Sequence, residues 1–352
     1  MKHPQNQKLL KSRFLAVLLL LVCWPGLMYA GGSVSLVGGG ATLPAPLYQN
    51  WFRAYNRAHP NVLIDYLPLG SGAGISQFLD QRLDFAGTDV PLSAAETAKV
   101  DGGVVQIPMT AGALVLIYNL KEVDHLKLTR EAYTGIFLGT VSRWNDPLIA
   151  DANLGAALPD TPIVLVTRSD ASGTTYTLTR HLSAANSKFA DTVGVAKAPV
   201  WPKSLKARGN LIRARGNGGV VNMVQAIPGA IGYVEYSYAY LTDIAIASLQ
   251  NRAGQFVAPN QKTFQITLRD TTIRDDLTVV LTDPASHGNY PVVTFTWLLA
   301  RQQSKNSEEQ KAIKDLLRYC LTEGQQGSDK LGYIPLTGDV VSKSLQLIEQ
   351  IH

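Results

Sequence analysis

Three short stretches of this 352-residue chain combine glycine with hydroxyl side chains, each where an apolar run gives way to a helix-like pattern. The first is Gly38-Gly39-Gly40-Ala41-Thr42-Leu43-Pro44. The second is Gly70-Ser71-Gly72-Ala73-Gly74, and the third is Arg168-Ser169-Asp170-Ala171-Ser172-Gly173-Thr174-Thr175. Glycine lets the backbone approach a ligand closely. Pro44 suits a first helical turn, where no backbone donor is needed. The first amides of a helix lack partners within it, and the helix dipole adds positive potential there. Ser and Thr at such a point either cap the helix or donate to an anion, so the chemistry suggested is oxyanion capture. A single loop of this kind is usually a turn with a cap. Three of them, with the planar guanidinium of Arg168, make a stronger case. Asp170 stands two residues on and can orient that guanidinium; the plainer alternative is a surface ion pair of little worth. Micromolar capture needs about −8 kcal/mol. Charge-assisted hydrogen bonds contribute about 1.5–3 kcal/mol each, and association costs on the order of 4–15 kcal/mol. One loop falls short of that requirement, whereas three loops and an arginine meet it.

Asp89, in Asp84-Phe85-Ala86-Gly87-Thr88-Asp89-Val90-Pro91-Leu92, is ordinarily read as a turn or cap aspartate. Against a bound anion it acquires a sharper role. A carboxylate repels an anion unless that anion carries a proton to donate. Phosphate near neutral pH carries one and sulfate does not. One aspartate therefore attracts HPO₄²⁻ or H₂PO₄⁻ and rejects sulfate, which would leave two facing acceptors unpaired. At 4 Å and an effective dielectric of 20 the repulsion is about 4 kcal/mol.

An enzyme is the first rival. No Gly-Lys-Ser/Thr phosphate loop and no His-Glu-x-x-His occurs. His59, His125, His181, His287 and His352 are scattered without metal-ligand spacing, so no metal is expected. The serine of Gly70 to Gly74 is in the wrong place for a nucleophile elbow. A receptor for sulfate, molybdate or tungstate is the second rival, and Asp89 argues against it. A surface adhesion or signalling protein that keeps the fold without the ligand is the third.

The loops need elements to hold them. Ser33 to Val37, Val62 to Leu67, Val104 to Ile107, Ala113 to Tyr118 and Ile163 to Thr167 read as strands. Helices are expected from about Pro44 to Ala58, through Ile75, Phe78 and Leu79, over Thr129 to Phe137, and over Thr174 to Leu182. The first carries Leu47, Trp51 and Tyr55 on one face. This alternation predicts an α/β architecture with largely parallel sheets. In such sheets ligands bind outside the carboxyl ends of strands, where these loops lie. The apolar runs Leu114 to Tyr118 and Val292 to Leu299 are candidates for a chain crossing between two lobes. Cys320 lies in an apolar helical stretch, Ile313 to Leu321, and reads as a buried small hydrophobe.

The bulk numbers fit export. The formal charge is +5, with 32 basic residues against 27 acidic. Lys2, Lys8, Lys11 and Arg13 supply most of that excess, and no acid precedes Asp65. Without those four the chain is nearly neutral, so a nucleic-acid surface is not supported. The four charges precede an apolar run from Phe14 to Trp24, then Pro25-Gly26, then Tyr29-Ala30 before Gly31-Gly32. This reads as a cleaved secretory signal over residues 1–30. The run is short and one-sided for a membrane span. Leu20-Leu21-Val22-Cys23 offers an alternative, a lipid anchor on Cys23, which Val22 disfavours. After cleavage Cys320 is alone and no intramolecular disulfide can form.

Taken jointly, several motifs resemble the phosphate-binding proteins of high-affinity bacterial ABC phosphate transporters. They are Gly40-Ala41-Thr42-Leu43-Pro44-Ala45-Pro46, Gly70-Ser71, Asp84-Phe85 with Asp89-Val90-Pro91-Leu92-Ser93, Arg168 with Asp170 and Ser172-Gly173-Thr174, and Pro228-Gly229-Ala230-Ile231-Gly232-Tyr233-Val234-Glu235-Tyr236. The resemblance runs through the whole mature chain. It implies a type II periplasmic-binding-protein fold of two α/β lobes, joined by two crossing segments and closing on dehydrated phosphate in the cleft. Residues 31–117 and 291–352 would form the first lobe and residues 118–290 the second. Thr42, Leu43, Ser71 and Asp89 would contact phosphate from the first lobe, and Arg168, Ser172, Gly173 and Thr174 from the second. Asp170 would pair with the arginine. The resemblance further implies a periplasmic, monomeric, non-enzymatic protein without cofactor that serves ABC permease subunits. Four positions depart from the family pattern. Leu43 replaces a usual Phe, Gly72-Ala73 replaces a serine and glycine, and Thr167 stands where a second arginine often sits.

Overall fold

The computed structural model of the chain describes residues 33–269, 273–274, 277–278 and 281–352. The expected leader and Cys23 lie outside the described residues. The strands are β1 (Val34–Gly40), β2 (Val62–Leu67), β3 (Phe85–Thr88), β4 (Val104–Tyr118), β5 (Lys127–Leu128), β6 (Val164–Arg168), β7 (Leu211–Ala214), β8 (Ala230–Glu235), β9 (Ser248–Gln250), β10 (Phe256–Val257) and β11 (Val293–Arg301). Eight of them form one mixed sheet in the order β2-β1-β3-β11-β4-β8-β6-β7, and β10-β9-β5 form a small second sheet.

The expectation of largely parallel pairing holds at the flanks and fails in the middle. β1 runs parallel to β2 and β3, and β6 runs parallel to β7 and β8. The central pairs β3–β11, β11–β4 and β4–β8 are antiparallel. Parallel neighbours are joined by a single crossover, here a helix. β11 instead returns after the long excursion of residues 119–292, so no single crossover fixes its direction.

β4 is one strand of 15 residues, where two separate runs were expected. Val104 to Ala113 pair with β11, and Leu114 to Tyr118 pair with β8. Pro108 looks like a strand breaker because it has no amide to donate. The register instead slips between Thr296 and Trp297, which face Thr110 and Pro108. This β-bulge absorbs the proline without ending the strand.

The helix Ala45–Ala58 buries Leu47, Trp51 and Tyr55 as expected, and also Tyr48 and Phe52. Tyr48 meets Tyr66 edge-on at 5.2 Å, and Phe52 meets Phe85 edge-on at 5.8 Å. Such pairs are worth about 0.5–1.5 kcal/mol beyond area burial. They fix the helix against β2 and β3, and so fix the turn that precedes it. β1 extends to Gly40 rather than ending at Val37, because Gly38 to Gly40 pair with Phe85 to Gly87 of β3, and the ring of Phe85 lies where a side chain on Gly38 would stand. Cys320 is fully buried in the helix Ser307–Leu321. Burial pushes its thiol well above the ordinary value, which makes it unreactive. Among the described residues no helix is long and apolar enough to cross a membrane.

Candidate functional site

The first loop leaves the end of β1 and enters the helix Ala45–Ala58. Thr42 and Leu43 are buried. Two tyrosines grip their backbone: Tyr238 donates to the Thr42 carbonyl at 2.7 Å, and Tyr333 donates to the Leu43 carbonyl at 2.8 Å. Asn217 Nδ2 donates to Thr42 Oγ1 at 2.9 Å. The Thr42 hydroxyl proton is thereby left for another acceptor.

The third loop follows β6. Arg168 is 3% exposed. Its Nε donates to Asp170 Oδ1 at 2.8 Å and its Nη2 to Asp170 Oδ2 at 2.5 Å. This side-on fork leaves Nη1, which reaches Thr174 Oγ1 at 3.4 Å, and one Nη2 proton. Burial pushes the Asp170 carboxyl upward, but the Arg168 fork and the Gly216 amide outweigh it and hold it below the ordinary value. Asp170 thus stays charged and holds the guanidinium in one orientation. Ser172 caps the helix Gly173–Ala185 by accepting from the Thr175 amide at 3.2 Å. Among the described residues the amides of Thr42, Leu43, Ser71, Gly173 and Thr174 donate to no acceptor.

The second loop closes against the third. Gly72 donates to the Ala171 carbonyl at 2.9 Å. Gly70 has φ +93°, and a side chain there would meet the Asp170 carboxylate. At Gly173 an added methyl would stand 2.5 Å from Ser71 Oγ and 2.6 Å from Asp89 Cβ. Only glycine permits that approach. The contact puts Ser71 and Asp89, from the β1–β3 side, directly against the start of the helix that follows β6.

Asp89 is 3% exposed. Its Oδ1 accepts from Thr296 Oγ1 at 2.8 Å, and its Oδ2 lies 3.4 Å from Ser71 Oγ. Burial pushes the carboxyl up to about 7, and the Thr296 hydroxyl, the Arg168 charge and the Ser71 hydroxyl pull back only in part. The structure therefore brings Thr42, Leu43, Ser71, Asp89, Arg168, Ser172, Gly173 and Thr174 to one place, with Asp170 behind the arginine.

Sequence reasoning missed Asn217, Tyr238, Tyr333 and Thr296. Two of these carried a signal. Gly216-Asn217-Gly218-Gly219 is a further glycine-rich stretch, which opens the helix Gly216–Ala226, and Thr296 is a hydroxyl inside an apolar strand. The two tyrosines carried none.

Comparison with known proteins adds three findings. A family model described as the PBP superfamily domain matches residues 29–323. The chain is 36% identical over 315 residues to the phosphate-binding protein PstS of Xylella fastidiosa, covering 88% of this chain and 84% of that one. It is 35% identical to the phosphate-binding protein PstS of Pasteurella multocida, covering 88% of each. Two solved structures share its fold. One is a high affinity periplasmic phosphate-binding protein bound with phosphate, with a TM-score of 0.70 at 23% identity over 88% of this chain and 92% of that one. The other is a phosphate-binding protein from Stenotrophomonas maltophilia, with a TM-score of 0.71 at 23% identity over 89% and 93%.

Proposed function

This chain belongs to the phosphate-binding proteins of the PBP superfamily, and from that membership we propose that the three converging loops are its phosphate site. It is a binding protein rather than an enzyme, and it serves phosphate uptake through an ABC importer. The observation that carries the site is the meeting of unspent donors with one buried carboxyl. Arg168 Nη1, the amides of Leu43, Ser71, Gly173 and Thr174, and the hydroxyls of Thr42, Ser172 and Thr174 can donate to phosphate oxygens. Asp89 accepts the proton of the P–OH group.

Net charge does little of the holding. Asp170 offsets Arg168, and Asp89 adds no positive charge. The anion is held by positioned dipoles and helix N-termini, which work because the site is buried and fixed. The same arrangement makes capture reversible and specific.

The two parts of the eight-stranded sheet support reading residues 31–117 with 291–352 as one lobe and 118–290 as the other. By this pairing the chain would cross within β4 between Ala113 and Leu114, a few residues before the 117/118 boundary, and again ahead of β11. A monomer, exported and processed near residue 30, is the state in which such lobes are free to open. Titration calorimetry on protein dialysed free of phosphate tests the reading. One phosphate should bind per chain with micromolar or tighter affinity. Absence of binding heat at millimolar phosphate would overturn it.

A further inference from the structure

Four oxygens lie in a row behind the first loop. Glu235 Oε2 contacts Ser237 Oγ, which lies 2.9 Å from Tyr333 Oη, which lies 2.8 Å from the Leu43 carbonyl oxygen. All four residues are fully buried. Three contacts need three protons. The carbonyl has none, and Tyr333 and Ser237 have one each. With Tyr333 donating to Leu43, Ser237 must donate to Tyr333. The remaining contact then needs a proton from Glu235. Were Glu235 ionised, Ser237 would turn to it, and one of the other two contacts would set oxygen against oxygen with no proton between them.

The surroundings agree. Among the described residues no basic side chain pairs with Glu235. Among the described residues its Oε1 is buried without a hydrogen-bond partner. Its titratable neighbours are Asp89, Tyr236, Tyr238 and Tyr333, all of them acids. Burial above all, and the Asp89 charge, disfavour a negative charge at Glu235; the Ser237 amide, which donates to Oε2 at 2.8 Å, the Ser237 hydroxyl and the Tyr236 amide pull the other way.

We propose that Glu235 is a neutral carboxylic acid that heads a hydrogen-bond relay to Leu43 and so acts as a positioning residue for the first loop. Its backbone reaches the same loop by a second route. The Glu235 amide donates to Asn217 Oδ1 at 3.1 Å, and Asn217 Nδ2 donates to Thr42. Glu235 ends β8 and faces Leu114, where β4 passes from its β11 partner to its β8 partner. The relay thus ties the loop that follows β1 to the strand farthest along that passage. Its effect on affinity rests on the phosphate reading; the protonation does not.

Infrared spectroscopy separates the two. Spectra of wild type and Glu235→Gln are compared well above the value of about 7 at which Asp89 gives up its proton. A protonated-carboxyl carbonyl band should be present in wild type and missing in the variant, with or without phosphate. Its absence from wild type overturns the proposal whatever phosphate does. Carbon-13 labelling of glutamate in wild type gives the same reading should the variant not fold, because the band must then shift. Gln keeps a donor, so Glu235→Gln should hold phosphate within about threefold, while Tyr333→Phe should weaken it by about threefold to tenfold. Unchanged affinity in Tyr333→Phe would refute the positioning role. A persistent band with no phosphate binding in wild type would leave the relay standing and sink the phosphate reading.

Discussion

Burial raises the Asp89 carboxyl from the ordinary carboxylate range to about 7, so its charge changes across the neutral pH range. Two consequences follow from the sign of that shift. The folded value stands above the ordinary 3.8, so the group's contribution to stability is full below about pH 4 and is lost as the pH rises to about 7. Phosphate-free wild type should lose on the order of 4 kcal/mol across that window that Asp89→Asn does not lose. Denaturant melts of both proteins at several pH values check this, and parallel curves would refute it. The second consequence concerns sulfate, which has no proton and needs one from Asp89. Wild-type affinity for sulfate should therefore fall by up to about tenfold per pH unit above about 7 and level off below it, while Asp89→Asn binds sulfate without that slope. Arg168 acts on all oxyanions alike. Arg168→Ala removes a charge-assisted donor and leaves Asp170 buried without its cation, so phosphate and arsenate should both weaken by at least about tenfold in calorimetry.

At the scale of elements, the site depends on strand-to-helix turns held at the right separation. Gly173 sets that separation, since an added methyl would press on Ser71 and Asp89. Gly173→Ala should weaken phosphate by at least about tenfold while moving the melting temperature little, because the clash arises where the two loops meet rather than in the core. Equal affinity in that variant would show that the loops meet differently. The loops themselves were legible in the sequence because glycine, hydroxyl and arginine lie within a few residues of one another. β4 was misread for an equally local reason. Pro108 and Gly112 look like breaks, and only the partner strand β11 reveals the bulge that carries the chain through.

At the scale of the molecule, the residues that hold the site from behind come from far away in sequence. Asn217 and Tyr238 lie 175 and 196 residues from Thr42, Thr296 lies 207 from Asp89, and Tyr333 lies 290 from Leu43. No local pattern announces such pairings, since only the assembled fold brings them together. The antiparallel centre of the sheet was hidden for the same reason. These contacts span both parts of the large sheet, so phosphate should stabilise the whole fold as one unit. At a thousandfold excess over Kd it should add about 4 kcal/mol, read as a rise of several degrees in a single melting transition. The central claim is that positioned donors capture phosphate while one carboxyl turns sulfate away. Calorimetry of wild type with phosphate and with sulfate, well above pH 7, tests it most directly. Phosphate should bind at least micromolar, and sulfate should bind roughly a thousandfold more weakly; comparable affinities for the two anions would contradict the account.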